Sequence, residues 1–143
     1  MTLYVRQMAW LAATPKPPAG SSREKRGLGA KISRAEQMKK DKITPQMPPN
    51  PMPHIIERLI EIGLTEPAGM GMAPLSWQTI AAWSDLTGVA LSPWEARLLR
   101  HLSTAYLGEF NRAGDETYPP PMRAKVTQRD IEIERAGLRA VLG

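Results

Sequence analysis

The spacing of apolar residues separates stretches with a face to bury from stretches without one. Ile55, Ile56, Leu59, Ile60 and Ile62 recur at the three- and four-residue steps of an α-helix, and Gly63 ends the run. Residues 64–74 contain Gly69-Met70-Gly71-Met72 and two prolines, which predicts a loop. Ser76 is placed to cap a second helix from Trp77, whose apolar face holds Trp77, Ile80, Trp83 and Leu86; Gly88 sits where a left-handed C-terminal cap belongs. The third helix has the clearest start. Ser92-Pro93-Trp94-Glu95 combines an N-cap serine, proline at the first helical position and glutamate three residues after the cap. Trp94, Leu98, Leu102, Ala105 and Tyr106 then share one face, with Leu99 and Phe110 at its margins, and Asn111 to Gly114 ends the helix. No alternating strand pattern appears.

The flanking segments lack such faces. Pro15, Pro17 and Pro18 with Gly20 end any opening helix, since proline removes a donor and disfavours helix before it. Residues 14–32 read as a basic flexible stretch, and Ser33-Arg34-Ala35-Glu36 has capping-box spacing for a short polar helix through about Lys42. Pro45, Pro48, Pro49, Pro51 and Pro53 make an extended, stiff spacer. Pro119-Pro120-Pro121 make a second, after which Thr127 caps a fourth helix aligning Ile131, Arg135, Leu138 and Leu142. The expectation is an all-α fold: a small three-helix domain with a flexible basic N-terminal arm, proline-rich spacers and a C-terminal helix. The divisions fall at 1–45 (arm with short helices), 46–54 (linker), 55–113 (helical domain), 114–126 (linker) and 127–143 (C-terminal helix).

Charge sharpens this division. Residues 1–45 carry ten Lys/Arg against three Asp/Glu, a net of +7, whereas residues 46–118 net −4 and residues 119–143 net +2. The pI near 9.8 therefore describes the ends of the chain. The absence of cysteine removes disulfides, thiolate metal sites and cysteine nucleophiles. No apolar run approaches the ~18 residues of a membrane span. The short run Met8 to Ala13 is smaller than a typical secretory core, so the host or cell cytoplasm is the expected location.

Candidate chemistry is sparse. His54 and His101 lie on different elements without a carboxylate at ligand spacing. Glu57 and Glu61, with Arg58 between them, read as a solvated helix face. Gly69-Met70-Gly71 follows no strand and carries no lysine, so it is not read as a phosphate loop. No enzyme activity, metal or cofactor is expected. The stretch Thr79 to Val89 followed by the capped helix resembles a helix-turn-helix. Its outward face, read as Glu95, Arg97, Arg100 and Glu109 in a segment netting −4, argues against phosphate contact. The +7 arm is either a solvated arm or an unspecific nucleic-acid binder. Trp77, Trp83 and Trp94 are core residues or part of an interaction patch. Six residues turn a helix by about 600°, so Trp77 and Trp83 cannot share one narrow stripe. Tyr106 and Phe110 extend the same surface.

Pro74-Leu75-Ser76-Trp77-Gln78-Thr79-Ile80-Ala81-Ala82-Trp83, Thr87-Gly88, Leu91-Ser92-Pro93-Trp94-Glu95 and Ala105-Tyr106-Leu107, preceded by the basic run Ile32 to Lys42, resemble the small helical domain of the tail assembly chaperones of long-tailed bacteriophages. The resemblance covers about residues 31–113; residues 1–30 match nothing in it. It implies a non-enzymatic protein that coats the tape-measure protein, keeps it soluble and recruits tail-tube subunits. Such proteins are then released and are absent from the mature particle. Trp77, Ile80, Trp83, Trp94, Leu98 and Tyr106 match the family pattern, mostly as core positions; together with Phe110, read from the aromatic surface, they are the expected partner-binding residues. Self-association fits, and nucleic acid and membrane are not expected partners. A small helix-turn-helix regulator and a minor structural protein of the particle are the competing readings. Salt separates the regulator from the chaperone. A DNA complex would weaken steeply between about 50 and 200 mM salt, whereas a complex that buries apolar surface is expected to survive that range in co-purification.

Overall fold

Four of the described helices start at a serine, whereas the two that follow Met1 and Met52 have no side-chain cap. The hydroxyl oxygens of Ser21, Ser33, Ser76 and Ser92 accept from the amides of Glu24 (3.2 Å), Glu36 (3.2 Å), Thr79 (3.1 Å) and Glu95 (3.4 Å). Each therefore satisfies an amide that the helix leaves free. A computed structural model describes residues 1–122 together with Arg135, Ala136 and Arg139. Apart from those three exposed positions, the helix expected over 127–143 lies outside the described residues. The elements are α1 (Thr2–Ala12), α2 (Ser22–Lys25), α3 (Arg34–Lys40), α4 (Pro53–Ile62), β1 (Thr65–Ala68), β2 (Gly71–Pro74), α5 (Trp77–Thr87) and α6 (Pro93–Arg112). Gly88 adopts φ 71° and closes α5 with a left-handed cap, as its position predicts.

The all-α, three-helix expectation is corrected on two counts. First, residues 64–74 are not only a loop. β1 and β2 pair antiparallel, from Thr65 opposite Pro74 to Ala68 opposite Gly71, around a turn at Gly69 (φ 56°) and Met70. Four-residue strands containing Pro67, Gly71 and Pro74 carry no strand signal. Two strands have only edges, so the missing proline donors cost little. The hairpin is instead pinned from outside. Glu66 accepts from the Ser76 amide and the Thr79 hydroxyl at the start of α5. Buried Ser103 on α6 accepts from the Leu75 amide (2.8 Å) and donates to the Leu64 carbonyl (2.6 Å), tying both flanks of the hairpin to the long helix.

Second, the N-terminal stretch is not simply a flexible arm. Met1, Tyr4, Val5 and Met8, one stripe of α1, pack on the cluster of Ile55, Ile56, Leu59, Leu75, Ile80, Leu99 and Leu102. Val5 and Ala9 are fully buried. Twenty residues make α6 about 30 Å long, more than the short helices α4 and α5 can cover, and α1 takes the remaining face. The buried line of α6 accordingly runs through Leu99, Leu102, Ser103 and Glu109. The face expected through Trp94 and Leu98 is turned partly outward. On α5 only Ile80 is buried; Leu86 is 88% exposed and Trp77 48%.

Arg34 joins these parts. Its side chain, 8% exposed, donates to the carbonyls of Trp10 (3.1 Å), Ala113 (2.6 Å) and Asp115 (3.0 Å), and its guanidinium lies 4.4 Å over the Trp10 ring. Burial lowers its pKa, yet the group receives two helix C-termini, where a cation is favoured. Lys16 adds a parallel bridge to Asp115, its amide donating to the Gly114 carbonyl at 2.8 Å. Arg34→Ala is expected to destabilise the chain by about 2–4 kcal/mol in urea unfolding, because three carbonyls lose a charged donor. Lysine, which lacks the planar fork, is expected to recover less than half of that loss.

Candidate functional site

α6 positions the aromatic side chains. Tyr106 and Phe110 stand one turn apart, their rings stacked at 6.1 Å and 15°. On one side of Phe110 lies an apolar hollow of about 230 Å³ lined by Leu64, Met72, Tyr106 and Leu107. On its other side a hollow of about 500 Å³ opens between Ala13, Thr14 and Lys16 after α1 and Asn111 in the last turn of α6 with Gly114 beyond it. Phe110, 38% exposed, is therefore a ridge between two depressions. Burial raises the pKa of the Tyr106 hydroxyl, which stays protonated and neutral. The wall opposite is the hairpin, where Met72 is half-exposed and Met70 projects fully into solvent.

The other predicted positions lie elsewhere. Trp94, 51% exposed, is at the N-terminal end of α6, sixteen residues from Phe110. That places them about 24 Å apart along the axis and on nearly opposite sides of the helix. Trp77 is held by Arg100, whose guanidinium lies 5.3 Å from the ring centre. Ile80 is core. Leu98 is partly buried against the core, and Trp83 is partly buried with its indole N–H lacking a partner among the described residues. The structure thus brings Tyr106 and Phe110 together and sets Trp77 and Trp94 apart from them. It also adds Leu64, Met72 and Leu107, which sequence reasoning missed. Met72 had the Gly-Met-Gly-Met stretch as its signal, Leu107 had only its place in Ala105-Tyr106-Leu107, and Leu64 had none.

Two carboxylates assigned to the outward face of α6 are engaged instead. Glu95 accepts from Arg58 at 2.7 Å. Glu109 is fully buried and accepts from Arg6 of α1 at 3.0 Å and Arg112 at 2.9 Å. Its other oxygen has no partner among the described residues. Burial pushes the Glu109 carboxyl up, and the hydrogen bonds from Arg112 and Arg6 outweigh it, holding the group below the usual glutamate value. Arg6 and Arg112 are raised in turn, mainly by their hydrogen bonds to Glu109. Among the described residues there is no group of three or more His, Cys, Asp or Glu able to hold a metal. No helix among them is long and apolar enough to cross a membrane.

The phage tail assembly chaperone family matches residues 32–108. The match spans more than half of the chain, and the chain belongs to that family. No curated protein and no solved structure matches it. The family is generally non-enzymatic and points to tail proteins as partners in general. The matched segment contains the hairpin, Tyr106 and Leu107; α1, Glu109, Phe110 and Arg112 fall outside it.

The Glu109 cluster sets an acid response. Its folded-state pKa lies below the unfolded value near 4.3, so its stabilisation is complete above that value. It is lost as pH falls through the folded value. Thermal melting between pH 7 and pH 3 is expected to show this loss, reduced in Glu109→Gln. Removing both arginines, Arg6→Ala with Arg112→Ala, strands a buried carboxylate and is expected to cost about 3–5 kcal/mol at pH 7. Glu109→Gln leaves two guanidiniums that reach water and is expected to cost less.

Proposed function

We propose that this chaperone binds the tape-measure protein, keeps it soluble and helps recruit tail-tube subunits in the host cytoplasm, leaving before the particle is complete. The observation that carries this reading is the Phe110 ridge between two hollows, one of them apolar. A long helical partner presents anchors at three- and four-residue steps, and a ridge flanked by depressions takes such anchors on either side. The exposed methionines of the hairpin favour a partner of varied apolar sequence, since thioether side chains repack readily.

Bringing two proteins together needs two contacts that do not overlap. Tyr106 and Phe110 form the first, assigned to the tape-measure protein. Trp77 and Trp94, about 24 Å away along α6 for Trp94, form the second, assigned to tail-tube subunits. Ile80, Trp83 and Leu98 serve both by holding α5 and α6 in place.

The test is purification of tagged protein from phage-producing cells at moderate salt. A very long helical protein and the tail-tube subunit are expected among its companions, and the chaperone is expected to be missing from finished particles. Phe110→Asp is expected to reduce recovery of the tape-measure protein by about tenfold or more with little change in melting temperature, since a truncated anchor typically costs 2 kcal/mol or more of binding. Nucleic acid as the sole companion would replace this reading with the regulator. Retention in the particle would replace it with a structural protein.

A further inference from the structure

α1 lies outside the matched segment, yet it covers a face of α6 that the matched segment would leave open. The fit is that of a helix in a groove. Met1, Tyr4, Val5 and Met8 enter the core at steps of three, one and three, and Arg6 beside them meets buried Glu109. The side of α1 turned away from that core is held by polar contacts rather than apolar ones: Gln7, itself buried, to the Gln46 carbonyl and the Met122 amide (3.3 Å each), Trp10 to the Tyr118 carbonyl (3.0 Å), and buried Arg34 to the Trp10 carbonyl. Residues 13–33 connect α1 to α3 through Pro15, Pro17, Pro18, Gly20, Gly27 and Gly29, with the four-residue α2 between and the Lys16 bridge and the Arg23–Glu116 pair as clasps that must open with α1. Fully extended, such a tether spans about 65 Å, ample for α1 to leave and return.

We propose that the face of α6 beneath α1 is a second helix-binding surface, and that α1 is the chain's own stand-in for a partner helix. This deepens the reading of the chain as a binder of an elongated helical protein and rests on it. The partner helix is specified by what α1 supplies. It carries apolar residues at three- and four-residue spacing and a lysine or arginine beside them. The cation is required because Glu109 is buried, keeps Arg112 as its one paired cation, beside the neutral Tyr118 hydroxyl, when α1 departs, and already has one oxygen without a hydrogen-bond partner among the described residues. A tethered α1 competes at an effective concentration on the order of millimolar, so only a well-matched helix, or one presented repeatedly along a long protein, displaces it.

The test uses the full chain and a fluorescent peptide of residues 1–13. Native hydrogen exchange of the wild-type chain is expected to show α1 amides exchanging about tenfold or more faster than those of α4 and central α6, as for a unit that opens by itself. The peptide is expected to bind the Arg34→Ala chain about tenfold more tightly than wild type, because loosening the latch lowers the internal competitor. The same peptide carrying Arg6→Glu is expected to bind about tenfold more weakly. Should Arg34→Ala not fold, exchange in the wild-type chain decides. Exchange of α1 together with α6, through unfolding of the whole chain, would overturn the proposal. Equal binding of the Arg6→Glu peptide would overturn the assignment of a cationic partner. No tail protein enters this test, so its failure is distinct from failure of the tape-measure reading.

Discussion

The fold depends on a charge placed where two helices end. α1 and α6 finish side by side, with carbonyls that have no intrahelical donors left. Arg34 enters this junction from the first turn of α3 and supplies three donors from one planar group. Burying a guanidinium without a carboxylate partner is costly in general. The cost is offset because the carbonyls it meets are the negative ends of two helix dipoles and because the Trp10 face covers it. With α1 latched against α6 by that residue, the long helix has both sides filled and presents its C-terminal turn as a ridge.

The parts of the chain that were legible in the sequence are those governed by local chemistry. Ser33, Ser76 and Ser92 start helices because a hydroxyl oxygen meets an amide three residues on, and Gly63 and Gly88 end them because their backbones reach positive φ. Such signals need no knowledge of what packs where. The stacked Tyr106 and Phe110 were also within reach, since side chains four apart on a helix lie on one face.

What escaped depends on distant partners. The hairpin is held by Ser103, Glu66 and Thr79 rather than by strand propensity, so its own eleven-residue neighbourhood carries little trace of it. Glu109 looks like a surface acid on a charged helix until Arg6, 103 positions earlier, is placed beside it. The rotation of α6 that buries Leu99 and turns Trp94 outward has the same origin. A second helix arriving from the N-terminus shifts which stripe is covered, and no count of apolar spacing within α6 foretells it.

Met70 has a bearing on how this protein ages. It stands at the tip of the hairpin between Gly69 and Gly71, and no described residue shields it, whereas Met1, Met8 and Met52 are packed against the core. Peroxide in a stored sample therefore meets that thioether early. The sulfoxide formed there is polar and chiral, and it sits at the turn two residues from Met72, which lines the apolar hollow. Met70 lines neither hollow and packs on nothing in the core, so a preparation damaged in this way is expected to keep its melting temperature while the hairpin tip turns polar; chemical freshness and thermal stability are independent measures of its quality.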